Sequence, residues 1–373
     1  MLQRAAPPTK ALNVLVATPV AATGQGGIDR VMAALKGQLA RSARSGLTVR
    51  FAATRGPGHV AFSPFYLAAF LTRMVVLRAA GRLDLVHINL SSAGSTYRKL
   101  QVAALCRLLG VPYVLHLHGG SYPQFWKDDG SWLGRAIRQL FARAQRVVVL
   151  GDTWRRFVIS RAPETADRIV VIPNAAARPT LPHRGGGDKV HILFLGRISD
   201  MKGVPQLGEA LHRMRDLPTW RATIAGDGAV QAACARAAEL GLADRVDFPG
   251  WVDGAEVARL VASADILVLP SFIENLPLSI IEGMASGLAV VATPVGAVED
   301  IICDGETGLL VQPGDVDGLA SVLRRLVGDA ALRARLGAAA SAFHRERLDL
   351  EPFAESIADL WTAAAHEAGG VRP

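Results

Sequence analysis

Short apolar runs rich in β-branched residues recur along the chain, separated by segments with helical spacing. A first series falls at residues 12–17, 48–53, 85–89, 113–118, 146–150 and 169–173. A second falls at residues 190–195, 221–225, 246–248, 266–270, 289–292 and 309–311. Several of these runs are apolar throughout instead of alternating, the pattern of strands covered on both faces within a parallel sheet. Strands that alternate with helices predict βαβ units, so the two series predict two doubly wound α/β domains.

The stretch 175–188 between the series contains Pro179, Pro182 and Gly185-Gly186-Gly187 without apolar periodicity, which marks a linker. The expected division is 1–182 and 183–349. Beyond Pro313 the chain is Ala- and Arg-rich and helical in pattern to about Glu367. Pro352 is placed to kink it, so that a helix over 350–367 returns to complete the first domain. Ligands of open α/β sheets bind at the carboxyl ends of strands, so a two-domain version is expected to place its site in the cleft between the domains.

A length of 373 residues, half of them hydrophobic and 20% charged, suits two packed cores and disfavours wholesale disorder. The three cysteines, Cys106, Cys234 and Cys303, lie far apart with no CxxC pair, which argues against a disulfide framework or a cysteine zinc site and fits a reducing compartment. Residues 1–10 have no apolar segment of the signal-peptide kind. The most membrane-like stretch, 64–80, is interrupted by Arg73 and Arg78, which suits a helix lying on a bilayer more than one crossing it.

Charge divides the chain more sharply than the net value of +8 suggests. Residues 1–183 carry 24 Lys and Arg against 7 Asp and Glu, while residues 184–373 carry 17 against 26. The first half is thus at +17 and the second at −9, an asymmetry that points to an anionic partner for the first half.

The residues that follow strands carry the candidate chemistry. Thr23-Gly24-Gln25-Gly26-Gly27 leads into a helical pattern, as either a tight turn or a backbone cradle for a phosphate. It is not a dinucleotide fingerprint, because the third glycine of GxGxxG is replaced by Asp29. Gly196-Arg197-Ile198-Ser199-Asp200-Met201-Lys202-Gly203 puts a guanidinium and an ammonium in one loop, a pair suited to a diphosphate leaving group or simply solvated. Ser271 to Gly283 places Glu274 in a loop and Pro277 at a helix start. Glu282 then falls inside that helix amid Leu278, Ile280, Ile281 and Met284. Carboxylates so placed can accept from a ribose diol and a sugar hydroxyl, or serve as a cap and a solvated charge.

Glu274 and Glu282 bracket seven residues in an E-x7-E arrangement. Taken with Gly196-Arg197…Lys202-Gly203, Ala225-Gly226-Asp227-Gly228, Phe248-Pro249-Gly250-Trp251 and Thr293 to Glu299, the chain resembles retaining glycosyltransferases of family 4, of GT-B architecture. That resemblance implies two Rossmann-like domains facing each other across a cleft. It implies Arg197 and Lys202 on the donor diphosphate, Gly27 approaching it from the other domain, and Glu282 on the ribose. Glu274 with Asn275, Leu276, Pro277 and Leu278 would bind the transferred sugar, Trp251 and Val252 would flank the base, and Gly228 would belong to the donor site. His118, ahead of Gly119-Gly120, matches the family's histidine over the donor sugar, with His116 deeper in the strand. The catalytic set so implied is Glu274, His118, Arg197 and Lys202.

The resemblance also implies front-face transfer with retention, a UDP- or GDP-linked hexose donor and no cofactor. No metal is expected: Asp128-Asp129 lacks DxD spacing, and the two cations supply the charge a metal would. Asn174-Ala175 departs from the glycine that relatives often carry after this asparagine. On the acceptor side, Ser95, Tyr97, Arg98 and Lys99 follow the strand at 85–89 and open a helix, where they can hold an acceptor phosphate or cap the helix. Residues 63–78 combine an apolar face with arginines, as an interfacial helix or an ordinary packed one.

The expected acceptor is a glycan on a polyprenyl diphosphate, handled at the cytoplasmic face of an anionic membrane in surface-polysaccharide synthesis. A nucleotide-sugar epimerase or a phosphorylase would share the architecture. A nucleic-acid-binding protein is the weakest alternative, since no basic-aromatic motif accompanies the charge and no nucleic-acid partner is expected.

Overall fold

The computed structural model describes residues 11–20, 26–42, 46–127, 130–185 and 187–369. The loop residues 23–25, the pair Asp128-Asp129, Gly186 and residues 370–373 lie outside them. The first half runs β1 (Leu12–Thr18), α1 (Gly27–Ser42), β2 (Leu47–Ala53), α2 (Ser63–Ala79), β3 (Leu85–Leu90), α3 (Gly94–Leu108) and β4 (Tyr113–Leu117). It continues through α4 (Tyr122–Phe125), α5 (Trp132–Ala142), β5 (Arg146–Val149), α6 (Asp152–Arg161) and β6 (Ile169–Val171). The second half runs β7 (Val190–Leu195), α7 (Val204–His212), β8 (Trp220–Ala225), α8 (Val230–Glu239), β9 (Val246–Gly250), α9 (Gly254–Ser263) and β10 (Ile266–Leu269). Then come α10 (Leu278–Ala285), β11 (Ala289–Ala292), β12 (Leu309–Leu310), α11 (Val316–Gly328), α12 (Ala330–Arg347) and α13 (Leu350–Gly369). Each expected strand is present within two residues of its expected bounds.

The strands form two six-stranded sheets, ordered β2-β1-β3-β4-β5-β6 and β12-β11-β10-β7-β8-β9. Every strand pairing in them is parallel. The central strands β3, β4, β10 and β11 are buried at every residue, which is why their sequences are apolar throughout, whereas the edge strand β2 is half-buried along its length. In each sheet the order reverses once, between β1 and β3 in the first and between β7 and β10 in the second. Chain leaving those two strands departs to opposite sides and opens a crevice at their carboxyl ends. These are two doubly wound Rossmann-like domains, as the strand pattern predicts.

The chain divides into two compact units. One runs through Leu150, resumes at Trp154–Ile172 and is completed from Phe353 onward; the other holds Gly151–Thr153 and Pro173–Pro352. The division lies at 172/173, ten residues before the expected 182/183, because the linker is bonded into the second unit along its length. Asn174 Nδ2 donates to Leu276 O at 2.8 Å, His344 Nε2 bonds Ala176 O at 3.0 Å, and Arg184 N donates to Ala262 O at 2.8 Å. Pro and Gly content marked a segment without helix or strand, yet such a segment can still be tied down by its backbone and side-chain bonds.

In α13, Phe353, Ile357, Trp361 and Ala364 are buried, a helical stripe laid on the core of the first unit. Trp361 is fully buried, and its indole donates to His87 Nδ1 at 2.9 Å. Truncation by Trp361→Ala removes that packing and the bond, and is expected to destabilise the first unit by about 3–5 kcal/mol. Chemical denaturation followed by circular dichroism checks this; a loss under about 1 kcal/mol would mean that α13 adds little to the core.

Candidate functional site

In the second unit, Gly196-Arg197 follow β7 and the chain turns through a 3-10 segment, Asp200–Lys202, into α7. The neighbouring strand β10 ends in the loop that carries Glu274. Lys202 Nζ pairs with Glu274 Oε1, so the two loops on either side of the order reversal are joined by an ion pair. Ser271 Oγ donates to the same carboxylate oxygen at 2.8 Å, and Phe272 N donates to Met201 O at 2.9 Å, which ties the loops by backbone as well. Glu274 is 8% exposed, while Lys202 keeps about a quarter of its side chain in solvent and can reach a ligand. The approach depends on Gly203, at φ +70°, where a Cβ would collide with Pro270 O.

Arg197 stands at the mouth of this crevice with two-thirds of its side chain exposed, its guanidinium 3.8 Å from Asp227 Oδ2. Gly228, at φ +107°, lies so close to the Arg197 loop that a Cβ there would strike Ile198 O. Asn275 and Leu276 are buried and their carbonyls are engaged, by Ala297 N at 2.7 Å and by Asn174 Nδ2 at 2.8 Å. Pro277 is the residue before α10 and Leu278 its first, so the positive end of this helix opens beside Glu274. Glu282 lies half-buried within α10, and Gly283 beside it lets the helix pack down on Leu267 of β10. Trp251, 52% exposed, and half-buried Val252 follow β9 two strands away. A cavity of about 140 Å³ between α7 and α8 is apolar and touches none of these candidate residues.

In the first unit a cleft of about 660 Å³ opens at the carboxyl ends of β1, β2 and β3, at the other order reversal. Gly27, Ser95, Arg98 and Lys99 line it, as do Thr54 and Arg55 after β2, which the sequence patterns did not single out. The signal was available: both follow a strand, the same rule that selected the others. Tyr97 does not line the cleft. It faces outward at 44% exposure, edge-on to Phe125, because one helix position away from Arg98 rotates it to another side of α3. Neither Ser95 nor Thr96 caps α3. The N-cap is Ala93, the one non-glycine with positive φ among the described residues, and Ser95 Oγ instead accepts from Ser91 N at 3.2 Å.

His118 directly follows β4 in the same unit. Asn89 Nδ2 donates to Ala17 O at 3.2 Å, which turns Asn89 Oδ1 toward His118 Nε2, 2.8 Å away, so His118 carries its proton on Nε2 and leaves Nδ1 as an acceptor. Burial, with His87 nearby, holds its pKa down at about 3, so the ring is neutral. His116 sits behind it, ring centroids 3.9 Å apart, and connects through Nδ1 to His87 Nε2 at 3.3 Å. It is a core histidine, although among the described residues its Nε2 is buried without a partner. A neutral His118 suits hydrogen bonding to a hydroxyl.

Comparisons with known proteins agree with this layout. Residues 13–175 match the "Glycosyl transferase 4-like domain" model and residues 183–343 the "Glycosyl transferases group 1" model. The chain is 31% identical over 304 residues to the 2-deoxystreptamine glucosyltransferase of Streptomyces kanamyceticus, covering 74% of this chain and 77% of that protein. Among solved structures it resembles Anabaena HepE in complex with UDP, at 20% identity and TM-score 0.74 over 94% of this chain and 100% of that one. It also resembles sucrose-phosphate synthase of Thermosynechococcus elongatus, at 20% identity and TM-score 0.76 over 94% and 98%. The two parallel sheets, the loops that meet at their order reversals and these matches together make the chain a member of the GT-B glycosyltransferases.

Proposed function

We propose that this chain is a retaining glycosyltransferase that moves a hexose from a nucleotide-diphosphate sugar to a lipid-linked glycan acceptor in surface-polysaccharide synthesis. The observation that carries the donor half is the Lys202–Glu274 pair beside Arg197 at the order reversal of the second sheet. Two cations and the N-terminus of α10 suit a diphosphate, a buried carboxylate suits a sugar hydroxyl, and Glu282 suits a ribose diol. HepE, one of the structural neighbours, was solved with UDP, which favours UDP over GDP as the donor nucleotide.

In the proposed reaction the bond between the anomeric carbon and the β-phosphate oxygen breaks, and the acceptor oxygen bonds the same face of that carbon. The acceptor proton passes to the departing phosphate oxygen. Arg197 and Lys202 stabilise the charge that grows on the diphosphate, with no metal required for that charge. Glu274 and the segment from Asn275 to Leu278 hold the sugar.

The acceptor side belongs to the first unit in this proposal, with the enzyme peripheral at the cytoplasmic membrane face. The +17 net charge of residues 1–183 supports this, as does α2. Helix Val60–Ala79 is long and apolar enough to cross a membrane, yet it is largely unburied, with Phe62, Phe65 and Val76 exposed beside Arg73 and Arg78. An apolar face set among arginines suits the plane of an anionic bilayer.

Turnover of UDP-linked hexoses, followed as UDP release with acceptor present, tests the donor half. Lys202→Ala is expected to lower kcat/KM by about 2–4 kcal/mol of transition-state stabilisation with the fold intact. Unchanged kinetics would remove Lys202 from the site. For the membrane half, the purified protein is expected to sediment with anionic vesicles at low salt and to dissociate as salt rises, each cation near the surface contributing about 1 kcal/mol. Equal partition to neutral and anionic vesicles would contradict it.

A further inference from the structure

Lys99 is 1% exposed, and among the described residues its ammonium has one hydrogen-bond partner, Thr54 Oγ1 at 2.6 Å. The Thr54 hydroxyl spends its own proton on Thr18 O at 3.0 Å, so it receives from Lys99 as a neutral acceptor. No carboxylate lies within ion-pair distance of Lys99 among the described residues. A buried ammonium normally has such a partner, because an unpaired charge out of water is costly.

The neighbouring charges make the shortage larger. Among the described residues Arg98 Nε is buried without a hydrogen-bond partner, and burial followed by the charge of Arg55 lowers the pKa of Arg98. For Lys99, burial and then Arg98 push the pKa down from 10.5 to about 7, with Asp29 opposing them. Asp29, 5% exposed, also accepts from Val20 N at 3.0 Å. One carboxylate thus faces three cations across a cleft large enough for a small anion and more. The N-termini of α1 and α3, both long helices, open on the same space.

We infer that this cleft is built to hold a phosphoryl group carried by the glycosyl acceptor, with Lys99, Arg98 and Arg55 as its counter-charges. The inference rests on the proposed transferase reading and deepens it, by naming the chemistry that the acceptor must present. A phosphomonoester or diphosphate supplies the missing anion, accepts from the spare protons of Lys99 and from Arg98 Nε, and restores the charge that burial suppresses. The phosphoryl group can come from a lipid or from a soluble sugar phosphate, and the two sources are separable by experiment.

The test is calorimetric titration of the full chain near pH 7 with geranyl diphosphate, glucose 1-phosphate and UDP, in wild type, Lys99→Met and Lys99→Arg. At least one of the first two probes is expected to bind wild type, roughly tenfold or more weaker in Lys99→Met and restored in Lys99→Arg, with UDP affinity unchanged across all three. Tighter binding of geranyl diphosphate marks a lipid acceptor; tighter binding of glucose 1-phosphate marks a soluble one.

Stability gives a second readout that a structural role would move the other way. Between pH 7 and 10.5 the unfolded chain holds the Lys99 proton that the folded chain has released, so this group's penalty is full below pH 7 and fades toward 10.5. Lys99→Met is therefore expected to melt at or above wild type near pH 7, with the difference closing as pH rises. Should Lys99→Met fail to fold, Lys99 is structural and the inference falls for that residue; Arg98→Gln then carries the same titrations. Failure of both phosphoryl probes to bind wild type, or unaltered binding in the variants, overturns the inference. A parallel loss of UDP binding in Lys99→Met would assign the cations to the donor and overturn it too. Absence of UDP binding in wild type would instead count against the transferase reading itself.

Discussion

The Lys202–Glu274 ion pair depends on a property of parallel sheets. When strand order reverses, the connections on either side of the reversal leave in opposite directions, and only there can two strand-end loops flank an open crevice. In the second unit those loops follow β7 and β10. The pair spans them, Ser271 and the Phe272–Met201 backbone bond brace it, and Gly203 permits the closeness. A buried glutamate needs a cation, and a cation held there faces whatever enters the crevice. In the proposed reading, fold requirement and ligand requirement are met by the same two residues.

The first unit repeats the topology with a different balance of charge. Its reversal lies between β1 and β3, and the cleft there gathers Arg55, Arg98 and Lys99 against Asp29. In the second unit the cation is neutralised by its own chain; in the first it is left short of an anion. That contrast parallels the division of net charge between the halves of the sequence, and it separates a site that is electrically complete without ligand from one that is completed by its ligand.

Much of this was legible in the residues because burial on both faces writes strands as unbroken apolar runs, and because strand ends select the chemistry-bearing loops. Arg197, Lys202, Glu274 and Glu282 were found that way, and their arrangement on loops and α10 follows the expectation. What stayed hidden depends on three-dimensional neighbours. Arg98 and Lys99 are adjacent and equally basic, yet one is partly exposed and the other fully buried, a difference set by packing under Thr54, 45 residues earlier. Tyr97 was grouped with them by sequence alone, and helix rotation takes it away. The protonation of His118 depends on Asn89, itself held by Ala17, and no spacing rule links those three. The linker was recognised by its composition but misjudged in extent, since hydrogen bonds to the second unit leave no periodic trace.

The central claim is that the crevice beside Lys202 recognises a diphosphate. Calorimetric titration with UDP, UMP and uridine measures this directly, because the three differ only in phosphate number. UDP is expected to bind roughly tenfold or more tightly than UMP, with most of that advantage lost in Lys202→Met. Equal affinity for UDP and UMP, or an advantage that survives Lys202→Met and Arg197→Ala together, would contradict the account.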